Sequence, residues 1–315
     1  MVILDEKSCD KGSYESYKII QKISRAHERA VIGVAYVQDT DSQQEYLVTC
    51  AQESLKIWLV DANDPGLLIE KLEIKEWRSG VQDFDVTSDG KMIAVVGTDS
   101  TIHIYKLSFS DYSHTSETFY EGFMQQWFVK IAPKATHLVT VNFSGLIMVV
   151  STSGKVQGSF NFNEARQISS LTYSPDGQSI AIATNEGIVT IVSVATLETR
   201  FYFEGSHAIK VRAVCFSPTS DHLLTGSDDK IVKLHMISAN KAQLVRSFCG
   251  HRSCVTMVKY HSQDPKMYIY CYLEIIILFA SSSNDGCVIV WSTTQHHPLH
   301  IFQGDHEGVV SFTIN

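Results

Sequence analysis

"LTYSPDGQSIAIATNEGIVTIVSV", residues 171–194, packs the end of one strand, two complete strands and two tight turns into a single run. Ser174-Pro175-Asp176-Gly177 sets a fixed φ and then a left-handed position, which closes a short hairpin between β-branched runs. Asn185-Glu186-Gly187 supplies the second turn. The stretches on either side, "QSIAIAT" and "IVTIVSV", are apolar-alternating runs rich in β-branched residues and read as strands.

The same arrangement recurs along the chain. Its second half appears six times: "SLKIWLV" (54–60), "TIHIYKL" (101–107), "LIMVVST" (146–152), "IVTIVSV" (188–194), "IVKLHMI" (231–237) and "CVIVWST" (287–293). One bulky position is shared: Trp58, Tyr105, Val150, Val192, His235 and Trp291, at steps of 47, 45, 42, 43 and 56 residues. Turns with Asp, Asn or Gly precede these strands at 98–100, 185–187, 227–230 and 283–286. A small residue and a histidine precede the first strand of several units, at His27, His207, His251 and His306. No helical period persists for a useful length. Four strands per unit of 42 to 47 residues is the pattern of an all-β propeller blade.

The last step is too long by 12 residues, which places an insertion at 267–278 between the first two strands of the sixth blade. That segment is the least polar in the chain ("MYIYCYLEIIIL"). It is too short to span a bilayer, contains Glu274, and alternates as a strand does. "YKIIQKIS" (17–24) reads as an outer strand that closes the last blade, after a flexible segment at 1–16. "GVVSFTIN" (308–315) reads as the inner strand of a seventh blade. The expectation is therefore one domain at 17–315: a seven-bladed propeller whose seventh blade is incomplete, with two C-terminal strands missing.

Composition narrows the function. The net charge is −8 and no basic block occurs, which argues against direct nucleic-acid binding. Seven cysteines at irregular spacing, with no Cys-x-x-Cys, fit free thiols in a reducing compartment. The N-terminus lacks a signal-peptide layout, and no membrane association is expected. No nucleophile elbow, P-loop, dinucleotide fingerprint or His-Glu-x-x-His occurs, so no catalytic residue and no cofactor are assigned. "QHHPLH" (295–300) has loose metal-like spacing but no second ligand cluster, so no metal is assigned.

"CGHRSCVTMVKY…FASSSNDGCVIVWS" (249–292) resembles a WD-family repeat, although the strict Trp-Asp dipeptide is absent. The resemblance implies a hydrogen-bonded chain that ties a loop to its blade: His251, Ser281, Asp285 and Trp291 in the sixth repeat. In the fifth it implies His207, Thr225 and Asp229, with His235 in the Trp position. Repeats three to five, including "QQWFV" at 125–129, look like blades of the small WD-repeat subunit of the superkiller complex. This resemblance implies a non-catalytic scaffold, monomeric on its own, for a tetratricopeptide-repeat protein and a helicase that serve cytoplasmic 3′-to-5′ mRNA decay with the exosome. It also implies a nuclear role in the Paf elongation complex of animals. A ubiquitin-ligase substrate receptor or another signalling adaptor is the alternative.

Partner contacts are expected on the face that carries the starts of the inner strands and the turns between second and third strands. The inner-strand positions are Ile32, Gln82, Trp127, Ser169, Arg212, Thr256 and Val310, with Gln125 beside them. The turn positions are Thr98, Phe143, Asn185, Asp228 and Asn284. Trp127 is the expected anchor, because Trp and Arg dominate interaction hot spots.

Overall fold

Second strands that are apolar on both faces can only be satisfied between neighbouring sheets, and this requirement organises the molecule. In a computed structural model, the structure describes residues 2–6, 17–23, 26–61, 63, 67–77, 80–120, 126–142, 144–162, 167–203, 206–238, 241–261, 278–303, 308–309 and 311–313. The first blade is β3 (Val31–Gln38), β4 (Glu45–Ala51), β5 (Leu55–Val60) and β6 (Leu68–Ile74). The second is β7 (Val81–Val86), β8 (Met92–Gly97), β9 (Thr101–Ser108) and β10 (Ser113–Tyr120). The third is β11 (Gln126–Ile131), β12 (His137–Asn142), β13 (Leu146–Ser151) and β14 (Val156–Asn161). The fourth is β15 (Ile168–Tyr173), β16 (Ser179–Thr184), β17 (Val189–Ser193) and β18 (Thr199–Phe203). The fifth is β19 (Val211–Phe216), β20 (His222–Ser227), β21 (Ile231–Ile237) and β22 (Ala242–Cys249). The sixth is β23 (Val255–Tyr260), β24 (Leu278–Ser283), β25 (Cys287–Ser292) and β26 (His300–Gln303).

Each blade is a four-stranded antiparallel meander, and inner strands β3, β7, β11, β15, β19 and β23 neighbour one another in turn. The core lies between blades. Val48, Leu55 and Ile57 of the first blade meet Val81 and Phe84 of the second. Leu224, Val232 and Leu234 of the fifth meet Val258, Phe279 and Trp291 of the sixth. The register is constant: Trp58, Tyr105, Val150, Val192, His235 and Trp291 all pair with the second strand, opposite Leu47, Ile93, Leu138, Ile180, Leu223 and Phe279. The turn before the third strand needs one left-handed residue. Ser100, Gly145, Gly187, Lys230 and Gly286 supply it in blades two to six. At Gly187 a Cβ would come 2.2 Å from the carbonyl oxygen of His207, so this turn also docks the loop of the next blade.

Six blades are complete. The expected seventh is different in kind. Tyr17–Lys22 (β2) is a strand, but its partner is β1 (Val2–Glu6), which lies inside the segment expected to be flexible. The apolar start Val2-Ile3-Leu4 has enough β propensity to pair. Residues 308–309 and 311–313 join no ladder among the described residues. They nevertheless sit between β23 and β3 through bonds that repeat the seams elsewhere in the ring. Val129 and Ile131 donate their N–H groups to Asp83 and Asp85 at 3.0 and 2.7 Å; in the same positions Val34 and Tyr36 donate to Ser311 and Thr313 at 3.2 and 3.1 Å. Phe312 N–H points to Met257 Sδ at 3.5 Å. Thr256 Oγ1 donates to the carbonyl of Val309, as Ser169 Oγ does to that of Val211.

The insertion expected at 267–278 lies outside the described residues, except for Leu278, which starts β24 and is part of the blade. Tyr260 pairs with Phe279, so the connection occupies the turn between first and second strands, as the spacing predicts.

Candidate functional site

Every inner strand carries a β-bulge at its second residue. The register shifts fall between Val31 and Gly33, Val81 and Asp83, Gln126 and Phe128, Ile168 and Ser170, Val211 and Ala213, and Val255 and Met257. The skipped residues are Ile32, Gln82, Trp127, Ser169, Arg212 and Thr256. A bulged residue leaves the ladder and re-aims its side chain, which sets these six apart at one end of the strands.

The turns between second and third strands are pinned to the same end. Gln52, Thr98, Asn185, Asp228 and Asn284 donate their N–H groups to the carbonyls of Ala30, Gly80, Gln167, Lys210 and Cys254, at 2.9 to 3.2 Å. One face therefore carries both sets. A cavity of about 230 Å³ opens there, lined by Gln82, Trp127, Phe128, Gln167, Asn185 and Lys210 among others. Trp127 is half-buried on its wall. Gln167 and Lys210 were not singled out from sequence. Their signal is positional, since each directly precedes an inner strand.

Arg212 and Asp228 are committed to each other, with Nη2 to Oδ2 at 3.0 Å and a second contact through Nε. Asn185 Nδ2 donates to Gln167 Oε1 at 2.8 Å. Ile32 is half-buried and packs on the core between blades one and two. Asn284 lies in the sixth-blade turn, away from the cavity lining. Gln125, Phe143 and Val310 lie outside the described residues.

On the blade walls, His251 Nε2 is 2.7 Å from Ser281 Oγ and Nδ1 is 3.2 Å from Asp285 Oδ2, while Trp291 Nε1 donates to Ser281 Oγ at 2.8 Å. The carboxylate can only accept, so the proton sits on Nδ1. Ser281 then accepts from Trp291 and donates to Nε2, and every polar atom has a partner. Burial lowers the His251 pKa, against the pull of Asp285. In the fifth blade His207 meets Thr225 at 2.7 Å and Asp229 at 2.8 Å. His235, buried in the Trp position, leaves Nδ1 without a hydrogen bond, and its ring lies edge-on to Phe203 at 5.1 Å. Burial, with help from His207 and Lys233, lowers its pKa to about 4.

A third network sits in the first blade, where sequence reading noted only His27 and Trp58. His27 bonds Thr49 at 2.7 Å and Ser54 at 3.1 Å, and Trp58 Nε1 donates to Thr49 at 2.9 Å. Its turn is one residue shorter than the others, so the hydroxyl stands nine residues before the Trp rather than ten. In the second blade Trp77 stands where the loop histidine would, with Nε1 donating to the Gln52 carbonyl at 3.1 Å and the ring edge-on to Tyr105.

The family model for the WD domain, G-beta repeat, matches residues 197–235 and 242–292, the repeats that contain the fifth- and sixth-blade networks. The chain is a WD40-repeat β-propeller. WD repeat-containing protein SL1-17 of Schistosoma mansoni is 27% identical over 221 residues, 70% of this propeller chain and 70% of that protein. Serine-threonine kinase receptor-associated protein of Gallus gallus is 30% identical over 132 residues, 42% of this chain and 33% of that one. The Mus musculus protein of the same name is 25% identical over 268 residues, 85% and 56% of the two chains. The propeller thus matches only part of several relatives. None of these three bears a name that refers to the superkiller or Paf complex. The fold is one that usually serves interaction rather than catalysis. Among the described residues no group of three His, Cys, Asp or Glu side chains could hold a metal ion, and no helix is long and apolar enough to cross a membrane.

Proposed function

We propose that this WD40 propeller is a non-catalytic protein-interaction scaffold that captures partners on the bulge-bearing face, with Trp127 as the anchor. The carrying observation is the cavity of about 230 Å³ at that face, with a half-buried indole in its wall. An aromatic wall beside carboxamides suits an apolar partner side chain and the backbone groups that flank it. The partners we propose, from the resemblance of repeats three to five, are the tetratricopeptide-repeat scaffold and the helicase of a superkiller complex in the cytoplasm, with Paf-complex subunits in the nucleus. Arg212 and Asp228 frame the face as a pair rather than reaching out singly. Trp127→Ala is expected to abolish co-purification of the tetratricopeptide-repeat partner, a loss of about thirtyfold or more in affinity, with an unchanged melting temperature. Retained partners, or recovery of cullin-type partners instead, would refute the assignment.

We also infer that the ring is seven-bladed, with residues 308–309 and 311–313 marking the inner strand of the seventh blade. The support is the repeated seam: the second-to-third-blade bonds of Asp83 and Asp85 recur at Ser311 and Thr313. Hydrogen exchange tests it. The amides of Val34, Tyr36 and Phe312 should exchange slowly, and rapid exchange at all three would count against this closure.

A further inference from the structure

Two seams between inner strands hold a lysine at the same place. Lys130 stands one residue before Ile131, which pairs with Leu138, and Lys259 one before Tyr260, which pairs with Phe279. On the neighbouring inner strand the matching positions are Asp83 and Asp85 in β7, and Ala213 and Cys215 in β19. Lys130 lies 3.0 Å from Asp83 Oδ2 and 4.0 Å from Asp85 Oδ1, and donates to the Val129 carbonyl at 2.8 Å. Asp85 also accepts the Ile131 N–H at 2.7 Å.

The fifth-to-sixth seam repeats this geometry with different chemistry. The Cys215 thiol takes the place of Asp85 and likewise meets the next strand's N–H, that of Tyr260. Ala213, in the place of Asp83, has no polar side chain. Lys259 has no side-chain hydrogen bond and no ion pair among the described residues. The register therefore sets its amine beside the thiol, where Lys130 has Asp85, and each group feels the other's charge. Burial lowers the Lys259 pKa, with Cys215 and Asp85 opposing and Lys130 assisting. Burial raises the Cys215 pKa, with the Tyr260 N–H and Lys259 opposing. The seam thus favours a neutral amine beside a neutral thiol. Both residues keep part of their surface open, which admits small molecules.

We propose that Cys215 and Lys259 form an acyl-relay pair, through which a small thioester leaves Lys259 acylated. Lys259 takes the thiol proton, and the Cys215 thiolate attacks the thioester carbonyl. The C–S bond to the leaving thiol breaks, and that thiol departs with the proton held by Lys259. The restored amine then attacks the acyl group on Cys215. A C–N bond forms, the C–S bond breaks, and a proton passes from the nitrogen to the Cys215 sulfur. One thioester is consumed and one thiol released, with no oxidant or reductant. The second transfer is intramolecular, which is where the pair gains over a lone amine. Lys130 is the built-in contrast: against burial, Asp83 and Asp85 raise its pKa and hold it as an ammonium. The modification happens once per protein rather than in turnover, and it is independent of partner capture at the Trp127 face.

The test uses the full chain and, as probe, the small thioester S-acetyl-N-acetylcysteamine at neutral pH, with acetylated residues quantified by mass spectrometry. Acetylation at Lys259 should exceed that at Lys130 by about tenfold or more. Cys215→Ala should cut it by about tenfold, and so should Cys215→Ser, which keeps an acceptor for the Tyr260 N–H. Cys215→Asp gives Lys259 the partner that Lys130 has and should suppress acetylation as well. Lys259→Arg should strand the acetyl group on Cys215, where hydroxylamine releases it; this readout reports the first transfer directly and needs no loss of signal. Equal acetylation of Lys259 with and without the Cys215 thiol would overturn the relay. So would equal acetylation of Lys130 and Lys259, or a Lys259→Arg protein that carries no acetyl group on Cys215.

Discussion

The fifth and sixth blades share a register, a loop histidine and a turn aspartate, and they differ at one wall position. In the sixth, Trp291 is fully buried and closes a chain in which Ser281 serves two partners. In the fifth, His235 fills the same seat, reaches neither Thr225 nor His207, and keeps a buried nitrogen without a partner. The lesson is that the loop is tied down by the histidine–hydroxyl–aspartate part alone. The indole adds packing and satisfies the hydroxyl; the imidazole adds a titratable liability.

The comparison can be broken most forcefully at Trp291. Trp291→Ala should cost about 3–5 kcal/mol in denaturant unfolding, because the ring packs on Phe248 and Phe279 in a fully buried site. A cost below about 1 kcal/mol would mean that the sixth blade does not depend on the indole. Next comes acid. His235 is neutral and buried when folded, with a pKa lowered to about 4, and ordinary when unfolded. The unfolded chain then binds the extra proton, so this stability is present above pH 6.5 and is lost as pH falls toward 4. The loss is about 3 kcal/mol at most. The groups facing it are His207, Lys233 and, behind His207, Asp229. His235→Phe should flatten the slope of stability against pH over that window; an unchanged slope would assign it to His27, His207 and His251, whose pKa values burial lowers in the same direction.

A finer contrast uses the hydroxyls. Ser281→Ala strands two ring nitrogens and should cost about 2 kcal/mol, whereas Thr225→Ala strands one and should cost about 1. Equal costs would show that Trp291 gains nothing from Ser281. The smallest effect is in the first blade, where Glu53 lies 3.5 Å from His27 but Ser54 already serves the same nitrogen. Glu53→Gln should change stability by no more than about 0.5 kcal/mol.

The third strands were legible because two-sided burial writes an unbroken apolar run, and the left-handed turns because Gly and Asp mark them. The bulge residues were legible once the strands were in phase. Three things were not. The first-blade network hid behind a turn one residue shorter, which shifts Thr49 against Trp58. The second blade replaced its loop histidine with Trp77, a residue type that gives no polar signal. The β propensity of Val2-Ile3-Leu4 marks a strand but does not say that Tyr17–Lys22 is its partner. At the candidate site, Trp127 stood out by chemistry, but the mutual commitment of Arg212 and Asp228 is a matter of rotamers and needed coordinates.

One extra residue per inner strand has an evolutionary corollary. Gln82, Trp127 and Arg212 are spared the ladder's hydrogen bonding, so selection can redraw them one at a time while the wheel beneath stays intact, whereas Ile32 packs on the core and Ser169 and Thr256 tie neighbouring blades. Divergent clienteles among proteins built on one frame then require a few letters to change, not a new architecture.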